Sequence, residues 1–200
     1  MAPEATAELT MTSLDGLDEE QLCHCARLVL DAGQGYYDLL EADRNLVVAG
    51  IAKQLGQPGT ELERFFVGLV GPEVAGLHAC VSTEILPTVM MEGTLRLLRG
   101  FDQDVRRKFL GRLREARPSL PALPEKSLYL ARIAVSENHQ SRGVAGGLME
   151  DFFRRRDSET SYCLHVHVEN TRALRFYRRL DFEQFGQEAG GYFAMVRSAA

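Results

Sequence analysis

One stretch, Leu128 to Val135, is apolar on both faces apart from Arg132, and it runs into a turn rich in Ser, Asn and Gly. A strand with apolar side chains on both faces belongs in the middle of a sheet covered on each side by helices. The turn is followed by a helical pattern from about Gly143 to Arg156, with small residues at Gly143, Ala145, Gly146 and Gly147. A buried strand, a small-residue turn and a helix therefore follow one another directly.

Such a turn leaves successive backbone N–H groups without partners, and the helix macrodipole adds positive potential at the same spot. Together they form a receptor for a diphosphate, with Arg142 close enough to add a full charge. The plainer alternative is a helix start whose small residues serve tight packing against the sheet. The pattern lacks the three-glycine dinucleotide fingerprint and the lysine of a P-loop.

The rest of the chain fits a single domain around that centre. Leu9 to Ser13 is a short candidate strand, and Asp18-Glu19-Glu20 opens a helix carrying Leu22, Ala26, Val29 and Leu30. A second helix is expected from about Leu39 to Leu55, stopped by Gly56-Gln57-Pro58-Gly59. Phe65–Val70 and Val74–Thr83 read as a hairpin. Residues 84–126 read as a helical insertion, whose Pro118, Pro121 and Pro124 force an extended approach to the central strand. After the central helix come a strand from Tyr162 to Val168, a helix from Asn170 to Leu180, and a closing pair, Phe182–Phe185 with Gly191–Arg197. The order implies one α/β domain with a mixed sheet over residues 1–200.

Two segments give this order a family. Gln140-x-x-Gly143-x-Ala145 resembles the diphosphate-loop motif of the GNAT superfamily of acyl-CoA N-acyltransferases, with the expected strand before it and helix after it. Asn170-x-x-Ala173-x-x-Phe176-Tyr177-x-x-x-Asp181-Phe182 is similar to a second segment of that family, with Asp181 in place of the usual Gly. The resemblance implies the GNAT fold: a central, mixed, mostly antiparallel twisted sheet of six to seven strands flanked by helices. It also implies acetyl-CoA as co-substrate, with no metal. The backbone of Gln140, Ser141, Arg142, Gly143, Val144, Ala145 and Gly146 then holds the diphosphate, while Ile133, Ala134 and Val135 line the pantetheine arm. Asn170, Ala173 and Tyr177 complete the donor side, and Tyr177 protonates the departing thiolate. Ser141 stands where many members carry Gly, and is tolerated there unless its φ is positive.

The general base is not evident, because Leu128 to Val135 holds no carboxylate. Glu84, where the preceding strand ends, is the first candidate; His165 and His167, which share a strand face, and Glu169 are others. Gly35-Tyr36-Tyr37-Asp38 lies where an acceptor pocket is expected, and its rings suit an amine's alkyl chain or cation. The insertion is expected to lid that pocket or to form a homodimer contact.

Composition supplies the exclusions. A net charge of −5 argues against a general nucleic-acid binder and is compatible with a small-molecule or peptide amine as acceptor. Cys23, Cys25, Cys80 and Cys163 are scattered, and Cys23-His24-Cys25 has no second ligand pair at metal-site spacing, so buried thiols are expected rather than zinc. Met1-Ala2-Pro3-Glu4 carries no signal-peptide pattern and no run reaches membrane-spanning length, so a cytoplasmic location is expected. The function expected is amine N-acetylation by direct transfer; a catalytically silent acyl-CoA-binding module on the same scaffold is the alternative.

Overall fold

The computed structural model describes residues 8–115, 120–155 and 161–198; Pro118, Arg156 and the Met1–Glu4 segment lie outside them. Seven strands form one sheet in the order β1-β2-β3-β4-β5-β7-β6. They are β1 (Leu9–Thr12), β2 (Arg64–Val70), β3 (Glu73–Ser82), β4 (Ser127–Val135), β5 (Ser161–His167), β6 (Glu183–Ala189) and β7 (Tyr192–Ser198). Every neighbouring pair is antiparallel except β4 with β5.

Helices cover both faces, as the doubly apolar β4 requires. On one face lie α1 (Glu19–Ala32), the single turn α2 (Gln34–Tyr37), α3 (Arg44–Ala52), α4 (Leu86–Leu98) and α5 (Gln103–Glu115). On the other lie α6 (Val144–Arg154) and α7 (Thr171–Arg178). Asp18 starts α1 with a capping box: its carboxylate accepts from the Gln21 N–H, and the Gln21 side chain accepts from the Asp18 N–H. Among the described residues, no helix is long and apolar enough to cross a membrane.

The second helix differs from its expected span of Leu39 to Leu55. Glu41 takes a left-handed conformation, φ 45°, after a 3-10 turn at Asp38–Leu40. Asp43 then caps a new start, accepting from the N–H groups of Asn45 and Leu46. The apolar periodicity of Leu46, Val47 and Ile51 belongs to that shorter helix, while Leu39 and Leu40 belong to the turn before it.

The 84–126 segment contains α4 and α5, which fold back over the α1 face. Arg112 of α5 donates to the Leu39 carbonyl at 3.0 Å, and Thr83 donates to the Pro124 carbonyl at 3.1 Å, drawing the returning chain against the end of β3.

Two irregularities in β4 position the site. The parallel pairing with β5 extends only over Ser127–Tyr129 against Ser161–Cys163, after which the strands part. On its other side β4 remains paired with β3 to Val135 but is bulged: Leu130 faces Cys80, Arg132 faces Ala79, and Ala131 between them has no partner. An extra residue shifts the alternation of faces. Leu128 and Leu130 therefore point toward α6, whereas Arg132 turns to the helix-rich side with Ala131.

Candidate active site

β4 and β5 part after Tyr129 and Cys163, and the glycine-rich loop follows the end of β4 at Val135. A 3-10 turn at Glu137–His139 leads into it, and buried His139 ties it to the sheet through Nε2 to the Glu73 carboxylate at 2.8 Å. Gly143 has φ 82° and caps α6. The backbone N–H groups of Ser141, Arg142, Gly143, Val144 and Ala145 have no acceptor among the described residues. Five consecutive free donors at the start of an eleven-residue helix form a concave anion receptor.

Gly143 is required for a reason other than crowding. A Cβ placed on it meets nothing within 4 Å, so it is the positive φ that selects Gly. Ser141 also has positive φ, 63°, the one condition under which a Ser there is strained. Holding a non-glycine residue in this region costs about 1–2 kcal/mol. Asp181 takes φ 62° at the exit of α7, a conformation Asp tolerates with less strain than most residues.

Next to the loop, Arg172 donates to the Gln140 side chain at 3.3 Å, so Gln140 is turned toward α7. Arg172, Arg175, Arg178 and Arg179 line an open hollow of about 520 Å³, and none is paired with a carboxylate among the described residues. Asn170 caps α7, its side-chain oxygen accepting from the Ala173 N–H at 3.0 Å, and Ala173 packs half-buried on the α6–α7 core. Ile133, Ala134 and Val135 are half-buried where β4 no longer has β5 beside it, opposite His78, Leu77 and Gly76 of β3.

Tyr177 of α7 is 7% exposed and packs against Phe176 and Phe182. Its hydroxyl has no hydrogen-bond partner among the described residues, and burial raises its pKa well above the ordinary phenol value. Tyr129 is near enough to interact with it electrostatically. Burial likewise pushes Tyr129 up to about 12; its hydroxyl meets His165 Nδ1 at 3.3 Å. His165 donates from Nε2 to the Pro121 carbonyl at 2.8 Å, which leaves Nδ1 as the acceptor. Burial lowers the His165 pKa, with the Pro121 contact pulling weakly the other way. The neutral ring is thus favoured.

His165 and Glu84 line the same cleft of about 270 Å³, between the start of α4 and the Pro121–Glu125 segment, with Leu123 and Pro87 among its apolar walls. Glu84 is exposed at its rim. His167 shares the strand face of His165 but packs edge-on against Tyr192, and Glu169 is largely exposed. Neither lines the 270 Å³ cleft. Tyr36 donates to Thr94 of α4, and Tyr37 is buried beside Arg132. Burial pushes the Cys163 thiol up to about 12, against a weaker pull from Ser127, so it is a poor nucleophile. The described residues hold no group of three or more His, Cys, Asp or Glu that would take a metal ion.

Residues 103–184 match the family model of the acetyltransferase (GNAT) domain. That stretch is about two fifths of the chain, and it carries both the small-residue loop and α7. The fold is similar to that of a crystallised acetyltransferase at 19% identity and TM-score 0.71, covering 94% of this chain and 98% of that one. An N-acetyltransferase from Staphylococcus aureus Mu50 superposes with TM-score 0.70 at 16% identity, covering 94% and 100%. A Bacillus subtilis acetyltransferase in complex with CoA superposes with TM-score 0.53 at 13% identity, covering 96% and 100%. No curated protein matches the sequence.

Two side chains near this site escape sequence reasoning, and a third cannot be aimed by it. Tyr129 reads as one more apolar strand residue. Glu61 sits in Thr60-Glu61-Leu62-Glu63, which looks like a solvated turn, yet it is 6% exposed. Arg132 is conspicuous in the sequence, but its direction depends on the bulge. No local signal marks Glu61; its burial comes from α4 covering it.

Proposed function

We propose that this chain is a GNAT protein that transfers the acetyl group of acetyl-CoA to a primary amine of a small molecule or peptide, directly, within a ternary complex. The observation that carries this reading is the run of five free backbone N–H groups beside the parted strands. It offers an anion site after β4, the strand whose Tyr129 interacts with both Tyr177 and His165. The CoA complex of the Bacillus subtilis relative supports the same donor.

In this scheme the loop from Gln140 to Gly146 anchors the diphosphate, and Ile133 to Val135 carry the pantetheine arm. A backbone N–H near Ile133 holds the thioester oxygen and stabilises the negative charge that develops on it. The amine nitrogen attacks the thioester carbon, the C–S bond breaks, and Tyr177 gives its proton to the departing thiolate. The proton that the nitrogen sheds as the amide forms restores the phenol. Burial keeps the phenol protonated until negative charge builds on the sulfur.

The attacking amine must first lose a proton. Glu84 and His165 are both on the cleft. His165 is the better acceptor, because its neutral ring already takes a hydrogen bond from Tyr129, and Tyr129 can hand a proton along as it receives one. Glu84 at the rim attracts the cationic acceptor. Neither role needs a cysteine nucleophile.

Calorimetric titration with acetyl-CoA, with free CoA and ATP as controls, tests the donor assignment. Saturable acetyl-CoA binding without ATP binding is expected. Absence of acetyl-CoA binding would refute the proposal and redirect the search from substrates to protein partners.

A further inference from the structure

The helix-rich side of the sheet contains a charge pair that is poorly made. Arg132 and Glu61 have side chains only 11% and 7% exposed, yet their nearest approach, Arg132 Nη2 to Glu61 Oε1, is 3.7 Å, too long for a hydrogen bond. Arg132 Nε and Glu61 Oε2 have no partner at all. Removing two charges from water is costly unless close geometry and further hydrogen bonds offset it. Here neither does.

The cause of the loose fit is visible. Glu61 is seated against α4 at Gly93, where a Cβ would collide with Oε2. The carboxylate is therefore held by α4 rather than drawn onto the guanidinium. Arg132 spends Nη1 on the Ala131 carbonyl at 2.6 Å, locking the bulge, and the Tyr37 hydroxyl lies against the same guanidinium. What remains under-used is the Nε–Nη2 edge, whose two parallel N–H groups match the two oxygens of a carboxylate.

Tyr129 stands between that edge and the cavity lined by His165. Arg132 is three residues beyond the last β4–β5 pair, and Tyr129 interacts with both Arg132 and His165. His165 in turn lines the cavity whose rim carries Glu84 and Glu125. Carboxylates thus stand at the cavity rim, and an incompletely paired guanidinium lies on the far side of Tyr129.

We propose that the acceptor is an amino carboxylate, an amine whose own skeleton carries a carboxylate that takes the Nε–Nη2 edge of Arg132. Its ammonium then points toward the acidic rim and the Tyr129–His165 pair, and the ligand brings no net charge into a poorly solvated site. Burial holds the Glu61 pKa above the ordinary carboxylate range, against the pull of Arg132, so Glu61 is able to take up a proton when a second carboxylate arrives. The inference rests on the acetyl-transfer reading of this same site.

The test uses the purified full chain and acetyl-CoA, with thiol release as readout. Amino acids of different amine-to-carboxylate spacing are each compared with their carboxamide and their decarboxylated amine. In the best-used set, the carboxylate member should exceed the other two by roughly 10- to 100-fold in kcat/KM, the size expected for hydrogen bonds to a charged group. Arg132→Gln should erase that preference by raising KM for the carboxylate member, with acetyl-CoA affinity unchanged; Arg132→Lys should keep part of it. Equal use of the amide or plain amine overturns the proposal, as does a preference that survives Arg132→Gln. If Arg132→Gln fails to fold, the wild-type comparison still decides. Acetyl-CoA binding with no amino carboxylate turned over overturns this inference and leaves the donor assignment standing, whereas no acetyl-CoA binding removes both.

Discussion

The proposed donor and acceptor ends are made of different material. At the proposed donor end, the free N–H groups come from the backbone of one continuous stretch, Ser141 to Ala145, and their direction follows from φ angles and the start of α6. At the acceptor end, side chains come from separate places: Glu61 before β2, Glu84 after β3, Tyr129 and Arg132 on β4, His165 on β5. Backbone groups are the same in every sequence, so a loop of this kind suits an invariant donor. Dispersed side chains change one at a time, so the opposite end is free to specialise.

The largest effect is expected where the two ends meet. Tyr177→Phe should lower kcat by roughly 100-fold, the lower end of the range for a lost general acid, with acetyl-CoA affinity unchanged by calorimetry. Equal losses in binding and turnover would make Tyr177 part of the donor end instead.

Gly143→Val tests the backbone character of the loop. A β-branched residue at φ 82° should reshape the receptor and weaken acetyl-CoA binding by about tenfold or more, read by the same titration. Unchanged affinity would mean that the donor end does not depend on this turn.

A pH series separates the two candidates at the acceptor end. Because burial lowers the His165 pKa below its ordinary value of 6.5, the ring is neutral and competent at neutral pH. Turnover should therefore be level above that value and fall as pH drops through the folded-state pKa and the ring gains a proton. His165→Gln should lower the plateau and remove this acid limb, while Glu84→Gln should keep the limb and raise KM for the acceptor. The reverse pattern would hand the proton to Glu84.

The smallest effect concerns strain at Ser141. Ser141→Gly should relieve the positive-φ penalty but add freedom to the unfolded chain, for a net gain of about 0.5–1 kcal/mol. For a chain of this size that raises Tm by roughly 1–4 °C in a thermal melt. A fall in Tm would mean that the Ser side chain contributes more than its backbone costs.

The same division explains how much was legible in the sequence. The proposed donor end is local: the small-residue turn at Gly143 before α6 and the Asn170 cap of α7 are readable because spacing along one segment sets their geometry. Helix α3 was less so, because the side-chain cap of Asp43 and the left-handed Glu41 cut short a periodicity that runs on from Leu39. Glu61 was not legible, since its burial depends on α4, more than twenty residues downstream. Arg132 could be seen but not aimed, because strict alternation along β4 assigns it to the face opposite Tyr129, and only the bulge brings both to one side.

The bulge at Ala131 acts as a parity switch. Upstream of it, even-numbered β4 residues such as Leu128 and Leu130 look toward α6; downstream that role passes to odd-numbered Ile133. Residue roles cannot be carried to a structural relative by counting along this strand unless that relative has the same insertion. Deleting Ala131 would close the bulge and restore plain alternation, with Arg132 still turned to the helix-rich side and Ile133 still toward α6, so one alanine separates a counted register from the real one while the two faces keep their residues.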